Sequence, residues 1–322
     1  MLDFAGVQVS AWALADWIET TVVFGGGPIS TARLVDHLAE DSGLEEVYRY
    51  DRDYAPEYGE DEALGEIAFD RHDDMTAFEA LANEAFEQIK DRAGIVGADY
   101  PLRVEGDIVR SAVGNWREAP AYAFLLALNA RFVHGLDAHI QDGARLFEEL
   151  VVLALASYWN GTALRFGAPR SGDTGKQFGD AMKNLSRAMN ERLQWEREEL
   201  PNHTGDMTVD AVAWRPLDGR RGHSVLLCQC AIGGEWETKK LDEEVWRHIV
   251  AFAVSPLKGL AFPFVAEAIR EFDDFRWEML CARVGVPFDR LRLAQLLQGI
   301  EPEEALRVAI VGWTESLAPS LA

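Results

Sequence analysis

Asp210 and Gln229 have side chains that can hold a hard cation, and a spacing that can bring them together. They lie in two β-rich runs, TVDAVAWRPL and HSVLLCQCAI, separated by the turn-forming string LDGRRG. A two-residue turn at Gly219-Arg220 puts glycine at the first central position of a type II′ turn and sets Asp210 opposite Gln229. A four-residue loop from Asp218 to Arg221 gives the same register, whereas a three- or five-residue loop breaks it. Side chains alternate across a strand, so Val225, Leu227, Gln229 and Ala231 share one face and Cys228 and Cys230 the other. A carboxylate and an amide side by side among apolar neighbours need hydrogen bonds or a cation. Spacing alone leaves a structural Asp–Gln hydrogen bond and a metal site equally open.

The elements around this hairpin read as helices. Ser30 is placed to cap a helix through TARLVDHLAE, after the turn-like GGGP. That turn lacks the Lys-Ser/Thr of a phosphate loop. Glu45–Asp74, rich in Asp, Glu, Tyr and Gly, reads as an irregular loop or cover. Helical spacing returns at Thr76–Asp91 and Tyr122–Phe132. ARLFEELVVLALASYW, residues 144–159, is apolar nearly all round in its later turns, as a buried helix is. A basic stretch follows, with Arg165, Arg170, Lys176 and Lys183, and residues 177–200 read as an amphipathic helix. Helical pattern resumes at Asp242 and runs to the end, punctuated by Pro256, Pro263, Pro287 and Pro302. The expected organisation is an acidic, mostly helical accessory region at 1–140, an α/β core at 141–255 and a helical extension at 256–322.

Composition bounds the function classes. Hydrophobic residues make up 48% of the chain, enough for a large core. No stretch reaches the roughly 18–20 apolar residues of a membrane span, and the N-terminus has no basic leader. The expected location is cytoplasmic. Three cysteines, Cys228, Cys230 and Cys281, argue against a disulfide framework, and Cys228-x-Cys230 lacks the further ligands of a zinc site. The net charge is −23, and it is uneven: residues 1–110 hold 8 Lys or Arg against 25 Asp or Glu, residues 160–250 hold 13 against 14. A surface that handles nucleic acid is basic, so it belongs to the later part. The acidic first third is a solvated face or docks a basic partner protein. His203, His223 and His248 form no recognised nuclease or metalloprotease pattern, and Trp236 and Trp246 read as core.

The string GDMTVDAVAW…LLCQCAIGGEW, preceded by Phe147-Glu148, resembles the core of the PD-(D/E)xK, or restriction-endonuclease-like, superfamily. Its Mrr-like branches have a Phe-Glu helix, then a Gly-Asp-x-x-x-Asp segment on a strand, then Gln-x-Lys on the next. The resemblance spans about Arg145 to Val250. It implies an α/β fold with a β-hairpin-centred sheet flanked by helices, and Mg²⁺- or Mn²⁺-dependent hydrolysis of nucleic acid, with DNA expected. Asp210, Gln229 and Glu148 would be metal ligands, Glu149 competing with Glu148, and Asp206 an acid that otherwise caps a turn. Pairing of two copies to cut both strands is a further implication. Arg165-Phe166 to Pro169-Arg170, together with DRLRL at Asp289–Leu293, resembles uncharacterised bacterial proteins associated with anti-phage defence. Two departures stand out. Ala231 occupies the usual lysine position, so the lysine has migrated to Lys239, with Lys240 the alternate, or the site is inactive. Met207 and Thr208 replace the glycines common between the two acids.

The leading expectation is a metal-dependent endodeoxyribonuclease of a bacterial defence or restriction system. The alternatives are a nuclease-like module that binds nucleic acid or a partner protein without cutting, and a helical scaffold.

Overall fold

The computed structural model describes residues 2–4, 7–40, 71–133, 135–136, 140–170, 174–195, 207–233, 236, 239, 241–266 and 274–321. Asp206, Lys240 and most of the loop expected at Glu45–Asp74 lie outside these. The chain is mixed α/β and forms two compact units, residues 1–138 with 307–322, and residues 139–306. Among the described residues, no helix is long and apolar enough to cross a membrane.

The first unit begins with the ribbon β1 (Leu2–Phe4) and β2 (Val7–Val9), followed by helix α1 (Ala11–Gly25). Strand β3 (Ile29–Ser30) leads into α2 (Thr31–Leu38), where Ser30 Oγ accepts from Arg33 N at 3.2 Å, the cap expected from the sequence. Helix α3 (Arg71–Val96), strands β4 (Leu102–Glu105) and β5 (Ile108–Ser111), and helix α4 (Pro120–Val133) follow. The small antiparallel sheet β3-β5-β4 was not expected in a region read as helical. Its strands are too short to show an alternating pattern.

Helix α1 buries charge as well as apolar surface. Arg92, 1% exposed, lies 2.6 Å from Asp16 Oδ1 and 3.0 Å from Glu19 Oε2. Tyr100 and Tyr122 donate to Glu19 Oε1 at 2.6 and 2.8 Å, and Asn129 donates to Asp16 Oδ2 at 2.9 Å. Burial, and then the charge of Glu19, push the Tyr100 hydroxyl well above its usual range. Each buried carboxylate is thus both ion-paired and hydrogen-bonded, the condition under which such groups are tolerated.

The second unit is built on a five-stranded sheet. Helix α5 (Ile140–Trp159) leads into β6 (Thr162–Arg165), α6 (Phe178–Ala188) and β7 (Arg192–Leu193). Helix α6 is shorter than the 177–200 expected, because Asn190 turns into the left-handed region at φ 52°. The hairpin strands β8 (Ala211–Arg215) and β9 (Ser224–Cys230) come next, then α7 (Glu243–Ile249), capped by Asp242, and β10 (Val250–Ala251). Strand β11 (Leu257–Ala261), helix α8 (Asp274–Val284), strand β12 (Val286–Phe288) and helix α9 (Arg290–Leu297) complete the unit, and helix α10 (Glu304–Leu321) belongs from Arg307 onward to the first.

The sheet order is β12-β11-β9-β8-β6. Strand β8 runs antiparallel to both of its neighbours, β6 and β9, whereas β11 runs parallel to β9 and β12 parallel to β11. The hairpin therefore occupies the centre, as expected. The tail beyond residue 256 is not simply helical, because β11 and β12 extend this sheet. Their short apolar runs, LKGLA and VPF, interrupted by glycine and proline, carry no periodicity that separates strand from helix. Helix α5 packs on β6 and β8. A core of Phe166, Phe178, Met182, Leu185, Val212, Trp214, Val225, Leu227 and Trp246 fills one side of the sheet.

Candidate metal centre

The central hairpin sets the site. Strands β8 and β9 pair from Ala211 with Cys228 to Arg215 with Ser224, the register expected from the sequence. Asp210 stands one residue before β8, next in register to Gln229. The tight turn is absent, since residues 216–223 form a wider loop. Pro216 has no amide to donate to the ladder, and the Asp218 carboxylate takes the Arg220 amide at 2.8 Å. The Arg220 guanidinium also holds the Asp218 carboxyl below its usual range.

Asp210 is tied to two segments, the end of β9 and the chain just after β6. Its N–H donates to the Cys228 carbonyl at 2.9 Å, and its own carbonyl accepts from Phe166 and Gly167 at 2.7 and 2.9 Å. Its Oδ2 accepts the Cys230 amide at 2.7 Å. The chain reaches Asp210 through Met207 at φ 52° and Thr208 at φ 65°. These are the two positions where the resembling proteins carry glycine, and both hold the left-handed conformation that glycine adopts freely. For β-branched Thr208 this is strained backbone next to the acid. The Met207 carbonyl is held by Trp246 Nε1 at 3.1 Å.

Glu148 comes from the middle of α5, 13% exposed, with Arg165 Nε 2.6 Å from its Oε2. This is a contact of charges rather than an aligned hydrogen bond. A Cβ on Gly167 would sit 2.5 Å from the same oxygen, so glycine there makes room for the carboxylate. Glu149 instead pairs with Arg145 along the helix at 3.0 Å. Of the two competing acids, Glu148 is the one at the end of the sheet where β6 stops and β8 begins.

The two faces of the sheet meet here. Gln229, 7% exposed, follows the alternation of Val225 and Leu227, whereas Cys230 belongs to the other face. The Cys230 thiol is raised well above its ordinary range, first by burial and a hydrogen bond with Cys228, and further by the negative charges of Asp210 and Glu148. Both carboxylates are therefore electrostatically close to Cys230. By the same alternation Asp210 and Gln229, neighbours in register, belong to one face of the sheet end.

Lys239 lies exposed after β9, its amide donating to the Trp236 carbonyl at 3.2 Å. Trp236 is wedged against Phe262 and Phe264, each ring centre 4.9 Å away. Among the described residues the Lys239 ammonium makes no hydrogen bond or ion pair. The lysine is thus anchored by its backbone, and its side chain does not join the three oxygen-bearing residues. The basic group the structure does bring to Glu148 is Arg165, which stands in the sequence as one of several cations in a polar stretch. Asp289 of the DRLRL string has a structural role. It caps α9 through Arg292 N at 2.9 Å and accepts from Ala266 N at 3.3 Å. Its burial raises the carboxyl above its usual range.

Comparison of the chain with protein-family models, curated proteins and solved structures gave no match.

Among the described residues, no group of three His, Cys, Asp or Glu side chains is gathered to hold an ion. The oxygen-bearing side chains nearest this end of the sheet are Asp210, Glu148 and Gln229, the first two both acting on the Cys230 thiol. Oxygen donors suit Mg²⁺ or Mn²⁺, which complete their shells with water. An ion taking Glu148 would have to share or replace the Arg165 contact.

Proposed function

We propose that the chain is a metal-dependent nuclease that hydrolyses phosphodiester bonds, with DNA the expected substrate, in a bacterial defence or restriction system. The reading that supports this is a restriction-endonuclease-like core in the second unit. The observation that carries it is the hairpin register, which sets Asp210 beside Gln229 at the sheet end that Glu148 also reaches. The order of elements agrees: a buried Phe-Glu helix, a strand entered through Asp210, then the strand bearing Gln229.

Asp210 and Glu148 would hold the ion, and Gln229 would contribute its amide oxygen or orient a water. A bound Mg²⁺ or Mn²⁺ supplies charge neutralisation and an acidified water. Arg165 is placed to meet phosphate charge once Glu148 is otherwise engaged. Lys239 is exposed, and its ammonium would have to swing toward the site to stabilise negative charge on the phosphoryl oxygens as water attacks and the sugar oxygen leaves, taking a proton from solvent.

A second reading, a module that binds without cutting, is favoured by Ala231 at the lysine position and by the Arg165–Glu148 pair. Plasmid nicking with and without Mg²⁺ or Mn²⁺ separates them. Metal-dependent nicking by the wild type, absent in Asp210→Asn, supports hydrolysis. A wild type that binds DNA and never nicks it supports the second reading.

A further inference from the structure

The hairpin has a second feature at its other end. A cleft of about 420 Å³ is lined by Tyr158, Trp159, Arg215, Leu217, His223 and Ser224, with Gly222 at its edge. Asp210 stands just before one end of β8 and Arg215 closes the other, so the cleft lies about 17 Å from the proposed metal centre at the usual rise of an extended strand.

His223 points to a ligand. It is 3% exposed, yet among the described residues neither Nδ1 nor Nε2 has a hydrogen-bond partner. A neutral imidazole carries one donor and one acceptor, and buried groups of this kind are normally paired. The residue lines the cleft while both nitrogens are covered, so a turn of the ring toward the cleft would let an occupant supply the missing partner.

The other walls define the occupant. Tyr158 is 48% exposed, although a large aromatic side chain is usually covered. Its ring is held in place by the edge of Phe288 at 5.5 Å and by Trp159 at 5.2 Å. The Trp159 indole is fixed in turn by its Nε1 donating to the Ser224 carbonyl at 3.3 Å. Both aromatic side chains line the cleft, each held by these contacts. Arg215 is exposed, and among the described residues no carboxylate lines the space. The fitting ligand is flat and aromatic, has hydrogen-bonding groups on its edge, and carries negative charge.

We propose that this cleft binds a nucleobase bearing a phosphate, with the base stacked on Tyr158, its edge bonded to His223 and its phosphate near Arg215. The base has two possible sources, a free nucleotide or an unpaired base within a single strand. The proposal does not depend on hydrolysis at Asp210.

The test is calorimetric titration of the full chain without divalent ions, carried out in parallel on Asp210→Asn so that a silent hydrolytic site does not affect the reading. The probes are deoxyadenosine monophosphate, deoxyadenosine, a short oligo(dA) strand and an abasic strand of equal length. Saturable binding is expected, with the monophosphate tighter than the nucleoside. Tighter binding by the monophosphate than by oligo(dA) identifies a free nucleotide; the reverse, with the abasic strand weak, identifies a strand base. Tyr158→Ala should weaken either by about tenfold or more, in the range of base–aromatic stacking. Arg215→Gln should remove the preference for the phosphate. His223→Phe should abolish binding, and if that variant fails to fold, the exposed Tyr158 and Arg215 variants carry the test. Absence of saturation by every probe overturns the proposal, as does binding that Tyr158→Ala and Arg215→Gln both leave unchanged.

Discussion

Replacing Asp210 separates a structural acid from a metal ligand, because the two roles respond differently to alanine and asparagine. Its Oδ2 accepts the Cys230 amide at 2.7 Å. Alanine removes that acceptor and leaves a backbone amide unpaired at a half-buried position. A hydrogen bond to a charged acceptor contributes about 1.5–3 kcal/mol net, and partial exposure places this one in the lower half, about 1.5–2 kcal/mol. For a domain of this size, each kcal/mol moves the midpoint by about 2–4 °C. Asp210→Ala should therefore lower Tm by about 3–8 °C. Asparagine keeps a carbonyl oxygen in place and loses only the charge, so its deficit should be about half or less. Both variants lose the hard anionic ligand, and both should abolish metal-dependent nicking. Thermal unfolding and nicking are measured on the same preparations. Asp210→Asn should also lower the Cys230 pKa, since it removes one of the negative charges that raise it. The pH profile of Cys230 alkylation, followed by peptide mass spectrometry, should then shift to lower pH. Wild-type nicking by Asp210→Asn would refute the ligand assignment, and a Tm loss equal to that of alanine would refute the hydrogen-bond reasoning.

Lys239→Ala should slow cleavage by about 100-fold, the scale for losing one charge-stabilising donor, and by more than Lys240→Ala; wild-type rates in both place the cationic role elsewhere. Arg165→Gln removes the charge that holds Glu148, so Mn²⁺ affinity measured by calorimetry should rise several-fold; an unchanged affinity means Glu148 is not a ligand. Thr208→Gly relieves a left-handed backbone at φ 65°. Against glycine's extra unfolded-state entropy, the net gain should be about 0.5–1 kcal/mol, and a destabilised variant in urea unfolding counts against strain there. Arg92→Met leaves Asp16 and Glu19 buried without their cation. The cost should be about 3–5 kcal/mol, and a loss below about 1 kcal/mol in denaturant titration would show that the network is dispensable.

Much of the site was legible because it is local along the chain. The register of Asp210 and Gln229 follows from period-two alternation and the parity of the connecting loop, and it survived a wider loop than the tight turn anticipated. Ser30 as a cap and residues 144–159 as a helix likewise follow from patterns within a few turns, although the last turn of that helix is exposed at Ser157 and Tyr158 rather than buried all round. The left-handed positions before Asp210 were marked only by Met207 and Thr208 standing where glycine is usual. Strands β11 and β12 escaped because short apolar runs have no period to read.

The sequence by itself determined which acids and amides could act, how the central hairpin pairs, and that charge concentrates in the first third. These properties depend on side-chain chemistry, alternation and composition, none of which needs distant contacts. Only the tertiary structure decided that Arg165, rather than Lys239, faces Glu148, that Glu148 and not Glu149 reaches the sheet end, and that His223 is buried in a cleft without a partner among the described residues. Those outcomes depend on how α5, β6 and the hairpin pack. Packing joins residues far apart in the chain through shape and burial, and no spacing in the sequence encodes it.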